Sequence, residues 1–226
     1  MMSKLELRIR ISNNNQFNNI MTYRFQEILR LIIPGLYLLF LCFCFFTHVG
    51  TLELDTESIP YKALTSSFAN VLVLLLPFIG FVVGYVINIL ASLCERTVYK
   101  KGWITRPSAI ILNNSSKYPV DNLESLKNRL GIIHVDNDSA NIAFQKAKEK
   151  LSGNEVILTF HSQSILARNL ACSQIILTIV CAFSIIKDCK VALIWFIVSL
   201  FLSILMVYNW KRQTCVYAKY VFSKYI

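Results

Sequence analysis

The chain has 226 residues, is 55% hydrophobic with a mean hydropathy of +0.51, and combines only 16% charged residues with a net charge of +10. Soluble domains carry about 25% charge and about 45–50% apolar residues, so this composition excludes an ordinary soluble globule. The seven cysteines show no CxxC and no paired Cys/His spacing, which speaks against both a secreted disulfide framework and a zinc site.

Residues 4–12 (KLELRIRIS) alternate strictly, with Leu5, Leu7, Ile9 and Ile11 on one side and Lys4, Glu6, Arg8 and Arg10 on the other. That is the period of a half-buried strand. The asparagine-rich stretch 13–19 breaks it, and residues 20–33 resume at helical spacing. Residues 31–46 form the first long apolar run, entered through Pro34-Gly35. Further runs follow at 71–93, 165–186 and 191–208. Each has 16 to 23 residues, close to what a helix needs to cross a bilayer core of about 30 Å. The first run lies behind a long polar segment and no A-x-A site follows it, so it is expected to remain as an anchor.

Charge sets the expected topology. Lys4, Arg8, Arg10, Arg24 and Arg30 precede span one, whereas the loop after it carries Glu53, Asp55 and Glu57 against Lys62. Arg96, Lys100, Lys101 and Arg106 follow span two, and Lys211, Arg212, Lys219 and Lys224 follow span four. The turn Lys187-Asp188-Cys189-Lys190 is too short to outweigh them. The positive-inside rule then places both termini and the central segment in the cytoplasm. The same rule, with anionic lipid as the counter-charge, explains the basic balance without nucleic acid, whose direct binding is not favoured.

The central segment reads as strand–helix–strand–helix–strand. Ala109 to Leu112, Ile132 to Val135 and Val156 to Phe160 are short apolar runs. Asp121 with Glu124 suggests a capping box for a helix ending at Gly131, and Asp138 suggests a cap for a helix running to Leu151 with Ile142, Phe144, Ala147 and Leu151 inward. The expected fold is an α-helical integral membrane protein of four transmembrane helices in two hairpins, with a small cytosolic α/β module between spans two and three. Its parts are an N-terminal strand and amphipathic segment (1–30), a first hairpin (31–93), the α/β module (94–164), a second hairpin (165–210) and a basic tail (211–226).

Four groups of residues are candidates for function. Gly80-x3-Gly84, with Asn88 one turn on, permits close helix approach, either between spans of one chain or as a seam between copies; we take them as candidate assembly residues. Glu95, Arg96, Arg106 and Arg168 gather at the inner membrane face. They are either snorkelling helix-end charges or a collar coupling the module to the spans, with Glu95 paired to Arg168 or Arg106. Lys100, Lys101, Lys146, Lys148 and Lys150 form a candidate basic face. No acid or base lies deep in any span, which argues against an ion- or proton-coupled carrier. Asn88 and Gln174 are the notable polar residues at membrane depth. No Walker A, GxGxxG, HExxH or GxSxG pattern occurs, and no cofactor or metal is expected.

Two resemblances add to this. Arg129-x4-His134 resembles the R-x4–6-H motif of HEPN ribonucleases, which implies a phosphate-polarising role for Arg129 and a proton-transfer role for His134; Gly131 interrupts the helix that normally carries it. The order Gly84-Tyr85-Val86-Ile87-Asn88, Glu95-Arg96, Arg106-Pro107-Ser108, soluble insert, Ala167-Arg168-Asn169 resembles bacterial four-span membrane proteins of anti-phage defence loci. These include the accessory proteins beside type VI-B CRISPR effectors and the four-span effectors of cyclic-oligonucleotide signalling. The resemblance implies a toxin-like or modulatory membrane role, switched on when the soluble module senses a nucleotide or a partner protein; the leading expectation is a homo-oligomeric effector that perturbs or permeabilises the bilayer. The alternatives are a membrane scaffold that regulates a cytosolic nuclease, and a membrane-tethered ribonuclease.

Overall fold

The computed structural model describes residues 4–48, 68–113, 116–151, 153–185 and 190–226, with side-chain surroundings from Phe25 in the first helix and Leu74 in the second. Among the described residues all regular structure is helical: α1 (Lys4–His48), α2 (Phe68–Lys100), α3 (Pro107–Leu112), α4 (Leu123–Leu130), α5 (Asn137–Lys150), α6 (Glu155–Ile185) and α7 (Lys190–Tyr225). Four helices are long and apolar enough to cross a membrane, over Phe25–His48, Leu74–Lys100, Glu155–Ile185 and Val191–Tyr225. The chain is accordingly a multi-pass membrane protein by length and composition. The acidic loop and the Lys187-Asp188-Cys189 turn lie outside the described residues.

α1 packs along α2 and α6, and α6 packs along α7. Leu74, Phe78, Val86, Ile194, Phe201 and Ile204 stay exposed on the outside of the bundle, as a helix surface bathed in lipid requires. The α1–α2 contact is set by glycine. Gly35, Gly80 and Gly84 are buried, and a Cβ added at Gly84 would run into the Leu31 carbonyl, one at Gly35 into the Gly80 carbonyl. The Gly80-x3-Gly84 face is therefore used inside one chain, against α1, which leaves it closed to a second copy.

The interior of the bundle is polar and bonded. Tyr37 Oη donates to Gln174 Oε1 at 2.5 Å, and Gln174 Nε2 donates to Ser199 Oγ at 2.8 Å. Thr178 Oγ1 lies 2.8 Å from both Ser199 Oγ and Ser203 Oγ. This ladder joins α1, α6 and α7 with side chains that lipid could not satisfy. Beyond it, Phe45, Leu177, Cys181 and Ala192 close the end of the bundle away from α3–α5, with Trp195 edge-on to Phe45 at 5.9 Å.

The polar middle is a helical cap, which corrects the expected α/β module. Residues 4–12 continue α1, because a helix already nucleated extends at little cost and no strand among the described residues offers pairing. Ala109 to Leu112 are helical behind Pro107, whose ring presets the first-turn φ. Val156 to Phe160 are the first turns of α6, capped by Asn154, whose Oδ1 accepts from the Val156 and Ile157 amides at 3.1 and 3.3 Å. Ile132 to Val135 form an irregular link.

The caps differ in detail from the sequence reading. Asn122 takes a left-handed conformation (φ 51°), so α4 starts one residue later and Glu124 falls at the second helical position, where no capping box can close. Gly131 ends α4 in a left-handed conformation, and the Ile132 amide reaches back to the Lys127 carbonyl at 2.9 Å. Asp136, not Asp138, caps α5: its Oδ1 accepts from the Ser139 and Asp138 amides at 2.7 and 2.9 Å, and Ser139 Oγ accepts from the Asp136 amide at 3.0 Å. Along α5, Ala140, Ala143 and Ala147 are buried at helical spacing and bring its backbone close to α3 and α7, while Ile142 points outward.

Residues 211–226 are no loose tail. α7 runs unbroken for 36 residues, about 54 Å at 1.5 Å each, well beyond a bilayer core. Its final turns bury Tyr217, Ala218, Val221 and Phe222 in the cap core with Leu112, Leu126 and Ile157. Phe144 of α5 sits edge-on to Tyr217 and Phe222, at 5.4 and 5.9 Å.

Two outcomes follow. Gly84→Ala should destabilise the protein by about 2 kcal/mol, the scale of overpacking a tight contact, measured by thermal unfolding in mild detergent. A neutral or stabilising result, as at an ordinary helix glycine, would refute the close contact. Asp136 is held below its ordinary value chiefly by the Ser139 amide. Its capping contribution is present above the unfolded carboxyl value and fades as pH falls through the lowered folded one. Asp136→Asn keeps a capping oxygen and should flatten the acid limb of a thermal-midpoint profile.

Candidate functional site

Where the spans meet the cap, α1, α2 and α6 are tied by a knot of polar side chains. Asn88 and Glu95 lie seven residues apart on one face of α2. Arg168 of α6 reaches both: Nη1 is 2.7 Å from Glu95 Oε2 and Nη2 is 2.8 Å from Asn88 Oδ1. The side chains of Arg168 and Glu95 are 14% and 26% exposed, so the pair is largely withdrawn from water. The neighbouring Asn169, fully buried, places Nδ2 3.3 Å from the same Asn88 oxygen and 3.4 Å from the Arg30 carbonyl.

That last contact has a cause in the sequence. Pro34 lacks an amide hydrogen, so the carbonyl four residues earlier, at Arg30, loses its helical donor. Asn169 supplies one, and Ser173 Oγ donates to the Pro34 carbonyl at 3.2 Å. The proline in α1 thus requires polar residues on α6 at the matching depth.

Above the knot is a cavity of about 180 Å³ between the spans and the cap. Glu95 and Arg168 form its membrane-side wall. Arg106, Lys148 and His161 enter from the cap side, and Tyr99 and Trp210 flank it. Arg106 is held in place from three directions. Its amide donates to Asn137 Oδ1 at 2.9 Å, its Nη1 to Asn141 Oδ1 at 3.3 Å, and its guanidinium stacks 4.9 Å from the Tyr99 ring. Lys148 lies at the inward edge of α5, and burial, then the nearby Arg30 charge, pushes its ammonium below the usual lysine range. Nε of Arg106 and of Arg168 are buried with no acceptor among the described residues, as are Nε and Nη1 of Arg30. Arg30 Nη2 is paired with Glu27 at 3.0 Å.

The structure thus brings together Glu95, Arg106 and Arg168 from the expected collar, Lys148 from the basic face and Asn88 from the glycine seam. Arg96 is exposed and stands outside the cavity lining. Lys100, Lys101, Lys146 and Lys150 are exposed; Lys101 lies over Trp103 and Lys150 over Tyr225. Arg129 is exposed and its Nη1 donates to the Ile226 carbonyl at 2.5 Å, and His134 is exposed; neither lines the cavity. Tyr99 is turned inward and buried.

Sequence reasoning missed Arg30, Asn141 and His161 as site residues, and gave Asn169 no role beyond its place beside Arg168. Pro34 was the available signal for Arg30 and Asn169, since its orphaned carbonyl partner is Arg30. No group of three or more potential metal ligands occurs among the described residues. Comparison with protein-family models, curated proteins and solved structures finds no match.

Removing one partner of a withdrawn ion pair leaves the other uncompensated. Glu95→Gln should destabilise the protein by about 2 kcal/mol, reduced from the fully buried case by residual solvent. Glu95→Gln combined with Arg168→Met should cost less than the two single changes added, in chemical unfolding followed by tryptophan fluorescence. Strict additivity would show that the pair is not coupled.

Proposed function

We propose that this chain is a membrane accessory protein that regulates a cytosolic partner: the cap receives a signal at the boundary cavity, and the spans change their packing in response. One observation carries this reading. Arg168 is at once a wall of the cavity and the pin that holds α6 to α2. A ligand or partner that draws on Arg168 competes with Glu95 and Asn88 for it, so occupancy and span packing share one residue.

The reading keeps the accessory half of the defence-locus resemblance and favours the scaffold over the membrane-permeabilising effector. The glycine face is consumed by α1, and the bundle interior is filled by the Tyr37–Gln174–Ser199–Thr178 ladder. Neither feature supports an axial path. The excess of Lys and Arg at the cap side of the spans supports a cytoplasmic cap. Arg129 and His134, exposed and apart from the cavity, lend no support to nuclease chemistry.

Two measurements test the proposal. Vesicles carrying the reconstituted protein and an entrapped dye should stay tight; dye release would transfer the weight to a permeabilising effector. Arg106→Gln alters only the cap side of the cavity. It should nevertheless speed amide hydrogen exchange in α2 over 88–95 and in α6 over 165–172. A change confined to α3 and α5 would remove the coupling.

A further inference from the structure

We infer that the boundary cavity is a binding site for a phosphate group, held by Arg106, Lys148 and Arg168. The inference rests on the regulatory reading of the same cavity and names the chemistry of its ligand.

Three cationic side chains line the cavity against one carboxylate. That carboxylate, Glu95, is already engaged by Arg168 at 2.7 Å, so the field at the centre is positive. Two guanidinium Nε donors, on Arg106 and Arg168, are buried without an acceptor among the described residues. Buried charged groups with unmatched donors are costly, and because both side chains line the cavity an anion with several oxygens there offsets that cost. Lys148 forms no ion pair among the described residues, so its ammonium is open to an anion. Asn141, Ser108 and Thr214 add neutral hydrogen-bonding groups to the wall. Arg106 is fixed by Asn137, Asn141 and the Tyr99 ring, which presents the guanidinium in one orientation and lowers the entropy lost on binding.

Size narrows the ligand. The cavity is small, at about 180 Å³. Drug-sized ligands occupy about 300–1,000 Å³. A phosphate with a short stem fits; a whole cyclic oligonucleotide does not. Depth is the second constraint. The cavity lies where the apolar spans give way to the charged side chains of Glu95, Arg106 and Arg168, residue types that belong at headgroup level. The shared chemistry is a phosphate ester, from either a lipid headgroup or a small soluble phosphorylated compound.

The test uses the full-length protein in a neutral maltoside detergent, followed by tryptophan-detected thermal unfolding and native mass spectrometry. The probes are glycerol 3-phosphate and short-chain phosphatidylglycerol, with sodium chloride at matched ionic strength as reference. A saturable rise in thermal midpoint is expected, and Arg106→Gln and Lys148→Gln should each weaken it by about tenfold or more, the scale of one charge-assisted hydrogen bond. Lys101→Gln, on the exposed surface, should leave it unchanged. A rise with glycerol 3-phosphate assigns a soluble source; a rise with phosphatidylglycerol alone assigns the headgroup. No rise beyond chloride with either probe overturns the site, as does a rise that both cavity variants retain. Lys148 makes no ion pair among the described residues, so Lys148→Gln remains informative if Arg106→Gln fails to fold. Binding without altered exchange in α2 and α6 would keep the phosphate site and remove the regulatory coupling; altered exchange without binding would do the reverse.

Discussion

The contact on which the rest of the molecule depends is the reach of Arg168 to Glu95 and Asn88 at the edge of the membrane. A charge at that depth is tolerated only with a partner, and the partner fixes which face of α2 meets α6. Asn169, next in the chain, bonds the same asparagine and extends the tie to α1 through the carbonyl that Pro34 leaves without a donor. Two consecutive residues of α6 therefore register three spans. The register also puts a wall of guanidinium beneath the cap, so the feature that orders the bundle is the feature that gives the cavity its sign of charge.

Polar and small residues divide the work of packing by depth. Apolar side chains give little preference for helix over lipid, so the informative contacts in the spans come from other residue types. Near the cap they are charged. At mid-depth they are the hydroxyls and amide of Tyr37, Gln174, Thr178, Ser199 and Ser203. Between α1 and α2 they are glycines, which let two backbones approach until only hydrogen fits between them. Water-driven burial takes over only in the cap, around Leu112, Leu126, Ile157 and Phe222.

The spans, their number and the gathering of Glu95, Arg106 and Arg168 were legible in the sequence, because apolar length and boundary charge are local signals. The Glu95–Arg168 pair was among the stated alternatives, and Arg106 proved to be held by α5. The cap was misread where pattern and context disagree. Strict alternation over 4–12 was overruled by continuity with the helix that follows, and short apolar runs at 109–112 and 156–160 were too brief for periodicity to separate strand from helix. Pro107 and Asn154, both helix-start signals, were the better guides. The partner of Gly80 and Gly84 needed a third glycine, Gly35, which sits beside Pro34 and was read only as part of the entry to the first run. The inward turn of Lys148 among exposed lysines depends on packing against α7, which no spacing rule reveals.

The unbroken course of α7 carries a consequence for biogenesis. Its membrane half must be threaded into the bilayer, yet its final turns supply Tyr217, Val221 and Phe222 to a core whose other walls, α3 to α5, are synthesised well before them. Those short helices emerge before the hairpin that completes them and lack the α7 side of their core until both later spans are inserted. Cap closure is then a built-in checkpoint on membrane insertion. A chain whose second hairpin fails to insert leaves the apolar faces of α3, α4 and α5 uncovered, the kind of surface that chaperones and membrane proteases recognise.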